Sequence, residues 1–363
     1  MKKGRAAVMT KTQGDLEIWE YPLPRVEPGA ILARVTCCTI CGSDVLAWQG
    51  RKRAPVPMIL GHEIVGEIVE MGEGVAFDSG NRPLKKGDRI TWTIMSNCGK
   101  CYYCREKGLM MKCRDLKKYG HDSCADSPHF VGGFAEYCYI YPGTCVIRVP
   151  EHLSDEEAAP ANCALATVVA GWEAAGLKPF ENVLIQGAGA LGFYAAALAR
   201  HYGCKRIVVT DVLDHRLEAV KSFGATDVLN PKGMNDDEIV RAVQQLTDGF
   251  GVDVAMEVAG APAVVPVGLK CLRIGGRYVE HGATFPGATV SYDFSDIVFR
   301  CLTLRGVHNY DTRHLQWGVD FLAQAHTLFP FKKLVTHRFS LNEINQALKT
   351  AQSGQAIRVA VIP

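Results

Sequence analysis

The chain has almost no charge of one sign to spare. Its 40 basic residues face 38 acidic ones, a formal net charge of +2, so it lacks the electrostatic excess that drives non-specific binding to nucleic acid or to a bilayer. It also lacks a long apolar run. The stretch from Val258 to Leu269 is interrupted by Pro262 and Pro266 and falls short of the ~18 residues that span a membrane. Lys2, Lys3 and Arg5 precede only Ala6 to Met9 before Thr10 and Lys11 intervene, too little apolar sequence for a signal peptide. No internal repeat and no low-complexity tract is found. The expectation is a soluble, cytoplasmic protein whose partners are small molecules, with no nucleic acid and no membrane among them.

What is present is a core. With 363 residues, 48% apolar and 21% charged, the chain is long enough for two domains that each bury one. Fourteen cysteines would suggest a disulfide framework in a small secreted domain, but in a large chain without an export signal clustered cysteines read as metal ligands. Cys98, Cys101, Cys104 and Cys113 fall within the single stretch "NCGKCYYCREKGLMMKC". Four thiolates with no open position make a structural zinc site. Cys37, Cys38, Cys138, Cys145, Cys204, Cys271 and Cys301 sit in apolar or strand-like settings and are expected to be small buried hydrophobes.

Along the chain the pattern changes once. Up to about Pro150 it reads as short β-runs with Gly and Pro turns: "ILARVTCCTI", "EIVGEIVEMG", "KKGDRITWTI", "GGFAEYCYI". Ser154 and Glu157 then have capping-box spacing, opening a helical stretch through "DEEAAPANCALATVVAGWEAAG". Beyond it apolar runs alternate with helical patterns, the pattern of a parallel doubly wound sheet. The segment from about Asn309, with "HLQWGVDFLAQAH", "VTHRFS", "NEINQALKTAQSG" and "AIRVAVIP", is too short for its own core and is expected to return to the first domain.

In "VLIQGAGALG" a β-run ends on Gly187, Gly189 and Gly192 and a helix opens. Here the first glycine permits the turn, the second the approach of a pyrophosphate, and the third close helix–strand packing, with the helix N-terminus facing the anion. The cradle comprises Gly187, Gly189, Ala190, Leu191 and Gly192. Asp211 ends the next strand, "RIVVTD", where a carboxylate can hold both ribose hydroxyls and repel a 2′-phosphate; this favours NAD over NADP, although Arg216 follows closely. A helix-capping role is the alternative for Asp211.

Cys41 in "CTICGSD" and His62 in "LGHEIVGEI" offer a thiolate and an imidazole from separate loops, a pair that suits zinc. Together with the cysteine loop, "GGFAEY", "QGAGALG" and the terminal "AIRVAV", these motifs resemble the zinc-dependent alcohol dehydrogenases of the medium-chain dehydrogenase/reductase superfamily over essentially the whole chain. The resemblance implies an α/β protein, a GroES-like β-domain (1–164 plus 309–363) and a Rossmann domain with a doubly wound parallel sheet (165–308). It implies two zinc ions per chain and reversible hydride transfer between an alcohol and NAD. Cys163, in "APANCALAT", becomes the third ligand beside Cys41 and His62, with Glu63 as a carboxylate that can exchange onto the metal. Ser43 matches the hydroxyl that takes the alcohol proton, Asp44 the carboxylate that orients a ligand histidine, and Arg358 the terminal arginine that reaches the cofactor pyrophosphate. Ser43 and Asp44 also read as a helix N-cap pair.

Two departures stand out. Leu46 occupies the place where many members end the proton relay on histidine, and eight residues, not seven, separate Cys104 from Cys113. A finer resemblance, in "VTCCTICGSD", "CRDLKKYGH", "AAPANCALATV" and "CLTLRGVHNY", is to a subgroup associated with phosphonate catabolism and to hydroxycamphor dehydrogenases. "QGRKRAPVP" puts Arg51, Lys52 and Arg53 on the loop that approaches the substrate entrance in relatives, where one of these, together with Arg313, would hold an anionic group on the substrate; His121 and His308 are further pocket candidates. A zinc-free quinone or enoyl reductase and a non-catalytic nucleotide-binding relative are the alternatives. Relatives continue their sheets across a subunit interface at "ATVSYDFSDIVFRCLTLRGV", so a homodimer or homotetramer is expected.

Overall fold

The computed structural model describes residues 2–282 and 284–363, which divide into two compact units. The first contains Met1–Ala166, Asp311–His326 and Phe331–Pro363, and the second Thr167–Tyr310 and Thr327–Pro330.

The first unit is built on an eight-stranded sheet. Along its path lie Val335–Ser340, Arg358–Ile362, Ile31–Thr39, Glu63–Met71, Arg89–Ser96 and Lys117–Lys118, with Tyr137–Ile140 paired to Ile31–Thr39 and Thr144–Arg148 paired to Arg89–Ser96. Three further strands, Glu17–Pro22, Lys3–Met9 and Met58–Ile59, form a separate small sheet. The core between them gathers Val8, Ile31, Ile64, Trp92, Phe130 and Phe134, all essentially inaccessible. Burying a side chain of that size contributes about 1.5–3 kcal/mol. The C-terminal segment returns here: the strand Arg358–Ile362 sets Val361 opposite Cys38 and Ala360 opposite Thr39, and the helix Ile344–Gln352 connects it to the parallel strand Val335–Ser340.

The second unit is a six-stranded parallel sheet in the order Asp227–Leu229, Arg206–Thr210, Asn182–Gln186, Val252–Glu257, Leu272–Glu280, Thr303–Gly306. The first strand in sequence, Asn182–Gln186, is central and buried at every position, as expected of a parallel strand covered on both faces. Sequence order reverses at that strand, and such switch points are where open α/β sheets bind ligands, beyond the carboxyl ends of the strands. The edge strand Thr303–Gly306 is exposed at all four residues.

One expected helix is broken. Ser154 does cap Asp155–Ala158 through a capping box with Glu157, but Ala159–Asn162, with Pro160, tightens into a 3₁₀ turn before the helix Ala164–Ala175 begins. Proline has no N–H for a helical ladder, and Cys163 sits in the gap at φ −134°, ψ −77°. A second correction concerns Cys301: it is exposed and has φ 53°, in a turn rather than a strand interior. No disulfide forms among the described cysteines, and no helix among the described residues is long and apolar enough to cross a membrane.

Candidate functional site

The helix Gly42–Trp48 starts at Cys41 and places Asp44 at its third position. Asp44 is buried. Its Oδ2 accepts the Cys41 N–H at 2.8 Å, and its Oδ1 accepts the Gly61 N–H at 3.1 Å and faces His62 Nδ1 at 3.1 Å. The capping reading and the histidine-orienting reading of Asp44 are thus one arrangement: the carboxylate that closes the helix N-terminus also fixes the imidazole. With Nδ1 so engaged, Nε2 is the free ligand atom. Ser43 Oγ and Cys163 Sγ stand 3.4 and 3.3 Å from it.

Ligand atoms of Cys41, His62, Glu63 and Cys163 lie within 4.8 Å of one another. Contact with Cys163 and with the His62 imidazole holds the Cys41 thiol well below its ordinary pKa, against burial; the thiolate is the form a metal takes. Burial works against a charged His62, yet the Asp44 carboxylate raises its pKa to about 10. Glu63 is turned elsewhere: its oxygens accept the Thr39 hydroxyl at 2.5 Å and the Arg358 guanidinium at 2.8 Å. Cys41, His62, Glu63 and Cys163 thus each offer an atom to one group that could hold a metal ion, with Glu63 also engaged by Thr39 and Arg358.

Arg358, expected to reach the cofactor pyrophosphate, is buried, and its guanidinium donates to Glu63 at 2.8 Å and to the Ile40 carbonyl at 3.0 Å. Sequence reading missed Thr39 and the Glu63–Arg358 pair because 295 residues separate its members.

The four-cysteine loop closes on itself. Thiolates 2.3 Å from a tetrahedral zinc stand about 3.8 Å apart, and here Cys101–Cys104, Cys98–Cys113 and Cys101–Cys113 are separated by 3.5, 3.5 and 4.0 Å. The Cys98 and Asp115 amides donate to Cys113 Sγ, each at 3.3 Å, supplying N–H dipoles to the anion. The region of the extra residue before Cys113 carries Gly108 at φ 61° and a 3₁₀ turn at Met110–Lys112.

In the second unit, Gly187 has φ 113°, and a Cβ on Gly192 would stand 2.0 Å from the Gly187 carbonyl oxygen, whereas one on Gly189 would meet nothing within 4 Å. That open space lies at the start of the helix Ala190–His201, of which Gly189 is the N-cap and Ala190 and Leu191 the first residues, as a dinucleotide cradle requires. The Asp211 carboxylate accepts the Ala188 N–H at 2.7 Å and the Leu213 N–H at 2.9 Å, which fixes it at the carboxyl edge of the sheet. Arg216 lies one turn on, in the helix Asp214–Lys221.

Among the substrate candidates, His121 packs on His62 with ring centroids 4.8 Å apart. Arg51 and Arg53 are exposed. Arg313 faces Asp311 at 3.6 Å and the Trp317 ring at 5.8 Å, and His308 is exposed in the second unit.

Two thiolate-rich clusters in a chain that also carries a dinucleotide-type sheet define a zinc-binding, nucleotide-dependent dehydrogenase as the class of protein. Sequence comparison agrees. Residues 27–151 match the alcohol dehydrogenase GroES-like domain and residues 190–324 the zinc-binding dehydrogenase domain. The chain is 31% identical to 5-exo-hydroxycamphor dehydrogenase of Pseudomonas putida over 99% of both chains, and 31% identical to L-threonine 3-dehydrogenase of Escherichia coli K12 over 97% of this chain and 98% of that one. An alcohol dehydrogenase from Thermotoga maritima superposes over 100% of both chains with a TM-score of 0.94 at 31% identity. The chain belongs to the zinc-type alcohol dehydrogenases of the medium-chain family, and it is an oxidoreductase.

Proposed function

We propose that the chain holds two zinc ions, one at Cys41, His62 and Cys163 and one at Cys98, Cys101, Cys104 and Cys113, and that it moves hydride reversibly between an alcohol and NAD. The observation that carries this reading is that ligand atoms of Cys41, His62, Glu63 and Cys163 lie within 4.8 Å of one another while Glu63 is also held by Arg358, so that Cys41, His62 and Cys163 would hold the ion. Zinc bound there would supply Lewis-acid chemistry, lowering the pKa of an alcohol. Ser43 takes the alcohol proton in this reading, which its position 3.4 Å from His62 Nε2 supports. Leu46 cannot pass it on, so the proton leaves Ser43 through water or a cofactor hydroxyl. Asp211 supports NAD: a 2′-phosphate would meet a carboxylate that two backbone amides fix in place. A reducing, cytoplasmic setting suits fourteen thiols, and the exposed edge strand Thr303–Gly306 suits pairing with a second copy.

The test combines metal analysis with a panel of primary and secondary alcohols assayed with NAD and NADP by the absorbance of the reduced cofactor. Two zinc per chain and turnover with NAD are expected. In Cys163→Ala the expectation is one zinc and no turnover; two zinc with retained turnover would remove Cys163 from the site.

A further inference from the structure

Two loops leave the carboxyl ends of neighbouring strands in the second unit, residues 258–260 after Val252–Glu257 and residues 281–282 after Leu272–Glu280. One side chain holds both. Glu257 is fully buried; its Oε1 accepts the Gly260 N–H at 2.7 Å and its Oε2 accepts the Gly282 N–H at 3.0 Å. Its backbone carbonyl accepts the His281 N–H at 3.1 Å. A Cβ on Gly282 would stand 2.1 Å from Glu257 Oε2 and 2.4 Å from the Gly260 nitrogen, so the loops close on the carboxyl at a distance that glycine alone permits.

The first loop is also pressed against the glycine cradle. The Val258 N–H donates to the Gln186 carbonyl at 2.9 Å, and a Cβ on Gly187 would meet the Ala259 nitrogen at 2.8 Å and its Cα at 2.9 Å. Gly187, Ala259, Gly260, Glu257 and Gly282 thus form one continuous line of contacts.

Their place in the sheet says what the loops would receive. Arg206–Thr210, which leads to Asp211, lies on one side of the central strand Asn182–Gln186, and Val252–Glu257 and Leu272–Glu280 lie on the other. A dinucleotide lies across the carboxyl ends of such a sheet, with one mononucleotide half to each side of the switch point. With the adenosine ribose assigned to Asp211, the loops held by Glu257 fall to the nicotinamide end. Ala259 is exposed and Val258, Gly260 and Gly282 are half-buried, whereas the carboxyl that fixes them is sealed from solvent and acts through them.

We propose that Glu257 is a positioning residue of the dinucleotide site, holding residues 258–260 and 281–282 at the spacing that receives the nicotinamide end of the cofactor. That role rests on the dinucleotide reading and divides the site: the cradle and Asp211 serve the ADP-ribose part, and the loops tied by Glu257 serve the ring.

Calorimetric titration with NAD and with ADP-ribose, which keeps the adenosine and the pyrophosphate but has no nicotinamide, tests this without turnover. Glu257→Gln keeps the size of the side chain but turns an NH2 toward one of the two amides, which releases one loop. NAD is expected to bind this variant at least tenfold more weakly than the wild type, and ADP-ribose equally well. Gly282→Ala, whose methyl would enter the space of the carboxyl, is expected to show the same split and carries the test should Glu257→Gln not fold, with an unfolding midpoint for each variant as the readout of fold. A residue that only supported the fold would weaken both ligands together or neither. Equal loss of the two ligands, a greater loss of ADP-ribose, or unchanged binding of both overturns the positioning role while leaving the dinucleotide reading in place. A wild type that binds neither ligand sinks that reading, and the role with it.

Discussion

Asp44 receives the Cys41 and Gly61 amides and His62 Nδ1 on two oxygens, out of contact with water. Replacing it with Ala leaves two buried amides unpaired, a cost of about 2–4 kcal/mol, and frees the imidazole to rotate, which typically weakens metal binding ~10–100-fold. Chelator titration should therefore strip one zinc from Asp44→Ala well before the other; simultaneous release of both would count against this role. The glycines of the cradle separate the same way. Gly192→Ala drives a methyl to 2.0 Å from the Gly187 carbonyl oxygen and is expected to cost about 1–3 kcal/mol. Gly189→Ala meets no protein atom within 4 Å and is expected to leave the unfolding midpoint in place while weakening dinucleotide binding, as read by quenching or calorimetry. If Gly189→Ala binds NAD as the wild type does, the open space is not the pyrophosphate's. The glycines were legible because their spacing is local; the pairing of Arg358 with Glu63 was not, since 295 residues separate the two.

At the scale of elements, the 3₁₀ break at Ala159–Asn162 is what delivers Cys163. Capping and periodicity located the start of the helical stretch at Ser154, but a lone proline in an alanine-rich run gives no sign of how the chain continues past it. Asn162 helps hold the break: its side-chain amide donates to the Trp92 carbonyl at 2.8 Å inside the core. Asn162→Ala should destabilise by about 1–3 kcal/mol and release zinc from the Cys163 site before the four-cysteine loop. A second element-level effect lies at the neighbouring strand ends Glu257 and Glu280. Burial, then contact with Glu280, raises the Glu257 pKa to about 8. A carboxyl that binds its proton more tightly folded than unfolded stabilises the fold below its unfolded pKa and loses that contribution as pH rises through about 8. The wild type should therefore lose more stability than Glu280→Gln between pH ~5 and ~9; parallel unfolding-midpoint curves would refute the coupling.

For the molecule as a whole, the sequence carried the domain order because β-runs and alternating β/α patterns are local signals, while the pairing of Arg358–Ile362 with Ile31–Thr39 could be expected only from the want of a core in the C-terminal segment. One surface of the second unit argues for assembly. Ile274, Phe294, Val298 and Phe299 are each more than two-thirds exposed, and they accompany an edge strand, Thr303–Gly306, that is paired on one side with Leu272–Glu280. Folded monomers blunt such edges with charge, proline or a covering element; this strand is four exposed residues with Arg305 its one charge, and large apolar side chains accompany it. Pairing of the strand with its counterpart across a two-fold axis would cover both its free edge and the apolar side chains around it. Sedimentation equilibrium should report a dimer or a multiple of it for the wild type. Phe299→Glu, which sets a charge where the side chain is 81% exposed in the single chain, should shift the mass toward the monomer without lowering zinc content. An unchanged mass in that variant would place the subunit contact on another face, and a monomeric wild type would leave the exposed edge unexplained by assembly.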